Sequence, residues 1–449
     1  MRLFEALGVQ RGDVVAFTGG GGKTSAMIRL GNELKEEGWR VLATTTTRLA
    51  ESEMELFPFA TRWRANLLRG SRELAQMLDE HGFVFVYQQI RSDKVMGIPD
   101  EYVSRLVDEM NADVLLVEAD GARRLPLKAP RSYEPVWPLD TTIGVVVAGM
   151  DILGQPLDEH HVYNPQPILD RYGFPYEAPI QPAWLAQILR DERLGLKDIP
   201  PTARAMVLLN KADSPLLEAR ARRTAQIILR QPRVDGVAIG NVHNPLEPVI
   251  EVQQRIAAII LAGGMSRRMG TSKVLLPWGD RTVIEGIIQT LLPFRLADIV
   301  VVTGHKAGAV ERVLQNYPVR TVYNPMYAKG EMLSSLKSGL RALKPEISAA
   351  LVVLGDQPQI SARVVRHILT TAAQRNDTLV APYYQGQRGH PILIPRRYWR
   401  PLLKLRKGAP RDIINQQPIT CVSVDNDSIL RDIDTPEKYA QEKRLAGLE

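Results

Sequence analysis

Short apolar runs separated by amphipathic stretches set what this chain can fold into. DVVAF, RVLAT, FVFVY, DVLLVE, IGVVV and AMVLLN occupy the first half, and IAAIIL, DIVVVT, AALVVLG and TLVAP the second. Most are apolar at consecutive rather than alternating positions, the pattern of a strand buried on both faces. Such strands, alternating with helical stretches, predict an α/β fold with mostly parallel sheets. At 449 residues the chain is about three times a typical domain length, so more than one domain is expected. The segment HNPLEPVIEVQQR, residues 243–255, breaks the alternation with prolines and polar side chains, and a fresh β-α-β series starts at Ile256. Residues 1–251 and 252–449 are therefore expected to form two domains. The stretch from His160 to Pro201 is proline-rich and poorly periodic, either an insertion over a site or an ordinary surface excursion.

Composition narrows the function classes. Hydrophobic residues at 45% and charged residues at 24% fit a globular protein with real cores. No apolar run approaches the ~18 residues of a membrane helix. The opening MRLFEALGVQRGD lacks the apolar stretch of a secretory signal. A cytoplasmic protein without a membrane partner is expected. Cys421 is the only cysteine, which excludes an internal disulfide and a multi-thiolate metal site. The net charge of +7 favours acidic partners. Its cations are scattered and not interleaved with aromatics, which favours small polyanions such as nucleotides over nucleic acid.

Each half opens on a strand and a glycine-rich loop. In IILAGGMSRRMGTSK, residues 259–273, an apolar strand breaks into Gly263 and Gly264, and Arg267, Arg268 and Lys273 follow. Glycines let a backbone approach a ligand closely, and the cations make that ligand anionic. The alternative is a plain βα turn with solvated cations. Downstream, LVVLGDQP puts Asp356 just past a buried strand, where α/β sheets carry their chemistry, and RDIDTPEKY offers Asp434. Either aspartate alone could be a turn or cap residue. Two carboxylates beside a triphosphate are what Mg²⁺ prefers, with its other ligands from phosphate and water.

These residues resemble the MobA-like nucleotidyltransferases, and among them the molybdenum cofactor cytidylyltransferases. LAGGMSRRMGTSK, LLPWGDRTVIEGII, VTGHKAGAV, YNPMYAKGEMLSSLKSGL, GDQP, GQRGHPILIP and DIDTPEKY stand in that family's order over residues 256–445. The resemblance implies a Rossmann-like nucleotidyltransferase domain that transfers CMP from CTP to molybdopterin and releases pyrophosphate. It implies that the Leu261–Gly264 turn, with Ala262 and Gly263, Ser266, Arg267, Arg268 and Lys273 hold the triphosphate. Asp356, Lys273 and Arg268 become the catalytic residues, and Asp356 and Asp434 the Mg²⁺ ligands. Gly330, Ser334 and Ser335 would line the nucleoside or pterin side, and Gly389 and His390 the acceptor. The base is contested. Cytidylyl members usually read A-A-G where this chain has Ala262-Gly263-Gly264, and the A-G-G form belongs to the guanylyl branch. The missing Cβ of Gly263 leaves room for a purine, while the longer motifs favour CTP.

In the first half, VVAFTGGGGKTSAMIRLGNELKEEG follows a strand and opens an amphipathic helix. The phosphate-loop template needs a glycine where Phe17 stands, so the loop is a variant: Gly19, Gly20 and Gly21 supply a turn, and Gly22-Lys23-Thr24 fit. Read functionally, amides cradle phosphates, Lys23 meets the β and γ oxygens, and Thr24 and Asp120 hold Mg²⁺. Read otherwise, it is a glycine-rich βα turn. DVLLVEADGARRLPLKAP supplies Glu118 and Asp120 after a buried strand, and AMVLLNKADS ends one in Asn210-Lys211-Ala212-Asp213. That last pattern is how many GTPases read guanine, the aspartate accepting from the ring N–H and the amino group; a loop without function is its alternative. A metal at His160-His161 lacks further ligands.

TGGGGKTS, TTTTRL, VEADGARRLPLKAP, LNKAD and NVHNP resemble the YqeC family of selenium-dependent hydroxylase accessory proteins over about residues 12–245. This implies a P-loop-like three-layer α/β domain that binds a second NTP, ATP or GTP, and serves a client molybdenum hydroxylase. The expectation for the whole chain is a fused molybdenum-cofactor maturation enzyme. Its rivals are a sugar- or polyol-phosphate nucleotidyltransferase and a non-catalytic cofactor carrier.

Overall fold

The fold is that of a computed structural model, which describes residues 1–63, 69–98, 102–103, 110–266, 268–294, 296–329, 331–375, 378–406 and 408–448. They form two compact units, Met1–Gln253 and Gln254–Glu449. Among the described residues no helix is long and apolar enough to cross a membrane.

The first unit is built on strands β1 (Asp13–Gly19), β2 (Val41–Thr45), β3 (Ala60–Arg62), β4 (Phe83–Tyr87), β5 (Val114–Glu118), β6 (Ile143–Gly149), β7 (Arg204–Asn210), β8 (Gly236–Gly240) and β9 (Val249–Gln254). They form one sheet in the order β9-β8-β7-β6-β1-β5-β2-β4-β3. β1 runs parallel to β5 and β6, with Phe17 opposite both Glu118 and Val145. The chain leaves β1 toward β2 on one side and comes back at β6 on the other. The end of β1 is therefore the switch point of the sheet, where a crevice opens beyond the strand ends.

Both faces of β1 are buried, which is why its sequence runs apolar without alternation. Val15 and Phe17 pack on Met27, Leu30 and Leu34 of the Lys23–Glu36 helix, and Val14 and Ala16 pack with Leu74 and Leu78 on the opposite face. Burying a leucine such as Leu30 contributes about 1.5–3 kcal/mol. The proline-rich stretch after His160 belongs to the core. Ile168, Leu185 and Leu189 are buried with Val146 and Ala148 of β6.

The second unit is built on β10 (Ile256–Leu261), β11 (Asp298–Thr303), β12 (Arg320–Tyr323), β13 (Ala349–Leu354), β14 (Leu379–Tyr384), β15 (Gln387–Arg388), β16 (Ile392–Pro395) and β17 (Ile419–Ser423). Their order is β12-β11-β10-β13-β16-β14-β15, with β17 on β14. β10 is parallel to β11 and β13, and β16 antiparallel to β13, so the sheet is mixed. Leu261 pairs with Val302 and with Leu354. That register ends three strands at one level and puts the turn after β10 beside Gly355 and Asp356. Ala258 and Ile260 pack into one face of the core, and Ala257 and Ile259 into the other.

Candidate nucleotide sites

The first loop joins β1 to the Lys23–Glu36 helix. Gly19, Gly21 and Gly22 have φ of 93°, 72° and 113°, where a side chain is strained. Space is closed as well. A Cβ would stand 2.2 Å from the Val147 oxygen at Gly19, 2.6 Å from the Leu125 oxygen at Gly20, 2.0 Å from the Gly149 nitrogen at Gly21, and 2.6 Å from Asn210 Nδ2 at Gly22. Several of its amides are already spent. Gly19 N donates to Asp120 Oδ2 at 3.0 Å, Gly20 N to the Val147 carbonyl at 2.9 Å and Gly21 N to the Leu125 carbonyl at 2.9 Å. The amides left for a phosphate are those that open the helix, at Gly22, Lys23 and Thr24, which a helix cannot satisfy itself.

Lys23 is 5% exposed. Its Nζ donates to the Gly19 carbonyl at 2.8 Å and lies 3.3 Å from Asp120 and 3.8 Å from Glu118. Burial works against its charge, but the two acids outweigh it and raise the pKa. Burial raises the Glu118 carboxyl despite Lys23. Thr24 Oγ1 donates to Glu118 Oε2 at 2.8 Å. This differs from the expected pairing of Thr24 with Asp120. Asp120 turns instead to the Gly19 amide and to Lys128, 3.3 Å away. β5 ends at Glu118, so Asp120 lies beyond the sheet and no longer shares the direction that alternation along a strand would give it. Glu118 is thus the acid placed to share a cation with Thr24.

Lys128 was not among the expected site residues. It is buried between Asp120 and Glu134, the latter at 2.6 Å, directly behind the loop. Its only signal was its place in the run that follows the two acids. Asn210 is fully buried, donates to the Gly21 carbonyl at 2.8 Å and accepts from Val242 N at 3.0 Å. Lys211 pairs with Asp151 at 2.7 Å, and Asp213 is exposed. His160 and His161 do not form a metal pair. Both backbone amides and His161 Nδ1 bond to Asp158 Oδ1.

The second site is open. At Gly264 and Gly270 a Cβ would meet nothing within 4 Å. Gly263 is different: a Cβ there would stand 3.3 Å from the carbonyl carbon and oxygen of Thr303. The room expected for a purine is bounded by backbone. Lys273 N donates to Ser266 Oγ at 3.1 Å. Lys273 Nζ lies 3.1 Å from Asp356 Oδ2 and is hydrogen-bonded to Asp434 Oδ1. Arg268 Nη1 stands 3.8 Å from Asp434 Oδ2, with its side chain 78% exposed. The structure therefore brings Arg268, Lys273, Asp356 and Asp434 together. Burial works against the Lys273 charge, but the two carboxylates outweigh it and raise its pKa. The Lys273 hydrogen bond lowers Asp434. Burial raises Asp356 despite the lysine.

Both carboxylates converge on one cationic centre, so they fit a divalent ion. Among the described residues no three His, Cys, Asp or Glu side chains gather to hold a metal. An ion here would complete its shell with phosphate and water, as Mg²⁺ does. Ser334 and Ser335 accept hydrogen bonds from Asn324 Nδ2 at 2.8 and 3.0 Å, and Asn324 is buried. Asn324 is a further residue that the expectation omitted. Gly389 packs against Ile429, whose oxygen would lie 2.3 Å from a Cβ. Burial, with Arg388 nearby, pushes His390 down to about 4, so it is neutral at pH 7. Arg267 and Gly330 lie outside the described residues.

Comparison with known proteins finds a different family in each unit. The family model described as YqeC protein matches residues 15–166, and that of the MobA-like NTP transferase domain matches residues 258–420. The uncharacterized protein YqeC of Escherichia coli K12 is 30% identical over 239 residues, covering 53% of this chain and 90% of that protein. The molybdenum cofactor cytidylyltransferase of the same strain is 31% identical over 194 residues, covering 42% of this chain and 95% of the relative. A probable molybdenum cofactor guanylyltransferase of Bacillus cytotoxicus is 28% identical over 197 residues, covering 41% and 95%.

Proposed function

The chain belongs to the YqeC family in its first half and to the MobA-like NTP transferase family in its second, and from that premise we propose that the second unit transfers CMP from CTP to molybdopterin. The observation that carries this reading is Lys273 held between Asp356 and Asp434 beside an open glycine turn. In the reaction an oxygen of the acceptor's terminal phosphate attacks the α-phosphorus, the bond to the bridging oxygen breaks, and pyrophosphate leaves. The acceptor phosphate is ionised near neutral pH, so no general base is needed. The demands are in-line placement and charge neutralisation. Lys273 and Arg268 supply fixed and mobile positive charge to the triphosphate. The Gly263–Gly264 turn lets backbone approach it, and Ser266 holds the start of the Lys273 segment. Neutral His390 can hydrogen-bond to the acceptor but adds no charge. Asp356 and Asp434 would hold Mg²⁺, which would supply further neutralisation of phosphate charge.

A GTP reading draws on Gly263 and on the guanylyltransferase relative. The Thr303 backbone, 3.3 Å from where a Cβ would stand, gives a glycine there a reason other than a purine, which weakens the case for GTP. The first unit binds an NTP with Mg²⁺ through Lys23, Thr24 and Glu118, in the service of a client molybdenum hydroxylase. The test incubates the full chain with molybdopterin, Mg²⁺ and each NTP in turn. Mass spectrometry should find a CMP–molybdopterin anhydride and equimolar pyrophosphate. Pyrophosphate without the anhydride would overturn the acceptor assignment.

A further inference from the structure

The phosphate loop of the first unit is tied to a second element that the reaction above does not use. Asn210 closes β7. With its side chain fully buried, it donates to the Gly21 carbonyl at 2.8 Å and accepts from Val242 N at 3.0 Å. A Cβ on Gly22 would collide with Asn210 Nδ2 at 2.6 Å. One side chain thus clamps three segments, the loop after β1, the end of β7 and the turn after β8. The Ala212 amide adds a second tie, donating to the Gly240 carbonyl at 2.9 Å. This fixes where Lys211 and Asp213 emerge relative to the first turn of the Lys23–Glu36 helix.

Asp213 is exposed, and among the described residues its carboxylate has no hydrogen-bond or ion-pair partner. A carboxylate only accepts hydrogen bonds. A purine with two adjacent donors on one edge, a ring N–H and an exocyclic amine, matches it, and guanine has that edge. Adenine offers a ring acceptor at the matching position, which would repel the carboxylate. Lys211, two residues before Asp213, is held by Asp151 at 2.7 Å, so its aliphatic stem is fixed and can serve as a wall against which a flat base lies.

We infer that the first unit is a guanine-nucleotide site, with Asn210 positioning the motif, Asp213 reading the base and Lys211 flanking it. The inference rests on the reading that this unit binds a nucleotide through Lys23, and it adds the identity of the base. A site built on a donor-to-carboxylate match rejects a base lacking those donors strongly, because the carboxylate is left unpaired. The chain would then use two different nucleotides.

The test titrates the full chain with GDP, ADP and XDP by calorimetry in Mg²⁺. Diphosphates are chosen because they cannot serve as nucleotidyl donors at the second site. Lys23→Ala, measured in parallel, identifies the heat that belongs to the first unit. The expected Lys23-dependent affinity is ~100-fold greater for GDP than for ADP. Asp213→Asn should lower GDP affinity ~100-fold and raise that for XDP, whose 2-oxo group accepts from the new amide. A structural role for Asp213 would produce no such gain. Equal GDP and ADP affinities, or unchanged GDP binding in Asp213→Asn, would overturn the guanine assignment alone. No Lys23-dependent heat from either nucleotide would overturn the nucleotide reading of the unit, and the inference with it.

Discussion

The two glycine loops look alike as sequence and differ as structures. In the first, every glycine from Gly19 to Gly22 is crowded by protein within 2.6 Å of its absent Cβ. In the second, Gly264 and Gly270 face open space. Their charges differ in the same sense. Lys23, Glu118 and Asp120 are 5%, 5% and 2% exposed, whereas the side chains of Asp356 and Asp434 are 30% and 33% exposed around Lys273. Glycine therefore serves two purposes here. In the first loop it lets backbone pack on backbone and sets a preformed helix start. At Gly264 and Gly270 of the second it leaves open space, although Gly263 there is bounded by the Thr303 backbone.

The contrast can be broken hardest at the second site's acids. Asp356→Asn and Asp434→Asn should each lower the transfer rate ~100-fold or more, since an electrostatic contribution of several kcal/mol disappears. Circular dichroism should show both folded, as neither acid lies in an apolar cluster. Wild-type turnover in either variant would remove that acid from the site.

Paired alanine substitutions sharpen the contrast next. Gly21→Ala puts a methyl 2.0 Å from the Gly149 nitrogen at a φ of 72°, and should destabilise the first unit by about 3 kcal/mol in urea denaturation. Gly264→Ala meets nothing and should shift stability by no more than ~0.5 kcal/mol. Equal costs would mean that the two loops do not differ in packing.

The smallest effect concerns pH. Lys273 lowers the Asp434 pKa, and a lowered carboxylate stabilises the fold above its unfolded pKa of about 3.9. That contribution is lost as pH falls through the depressed value. Without metal, Lys273→Met should therefore cost about 1 kcal/mol at pH 7, allowing for solvent screening. The cost should shrink toward zero below pH ~4, as seen by thermal melts across that range. A cost independent of pH would assign Lys273 to packing instead.

Much of this was legible in the sequence, for a physical reason. Strands buried on both faces must be apolar throughout, so β1, β5, β10 and β13 stand out as runs. Residues just past where those runs stop, Lys23 after β1 and Asp356 after β13, are then the first candidates for chemistry, whereas Asp434 follows no strand and stands out only through the RDIDTPEKY motif. Side-chain direction beyond a strand end was not legible, so Glu118 rather than Asp120 meets Thr24. Nor were groups that act from behind. Lys128 and Asn324 are buried partners of visible residues, and residue type alone does not separate such partners from ordinary polar positions. The proline-rich stretch after His160 hid a piece of core because its helices, Gln166–Tyr172 and Pro182–Leu189, are too short to display a period.

The central claim is that the open loop performs the transfer, with CTP, independently of the packed one. Its most direct test is kcat/KM for CTP and for GTP with molybdopterin, on the wild-type chain and on Lys23→Ala. CTP should exceed GTP by ~100-fold in both proteins, with the CTP value unchanged by Lys23→Ala. GTP turnover equal to or above CTP, or loss of CTP turnover in Lys23→Ala, would contradict it.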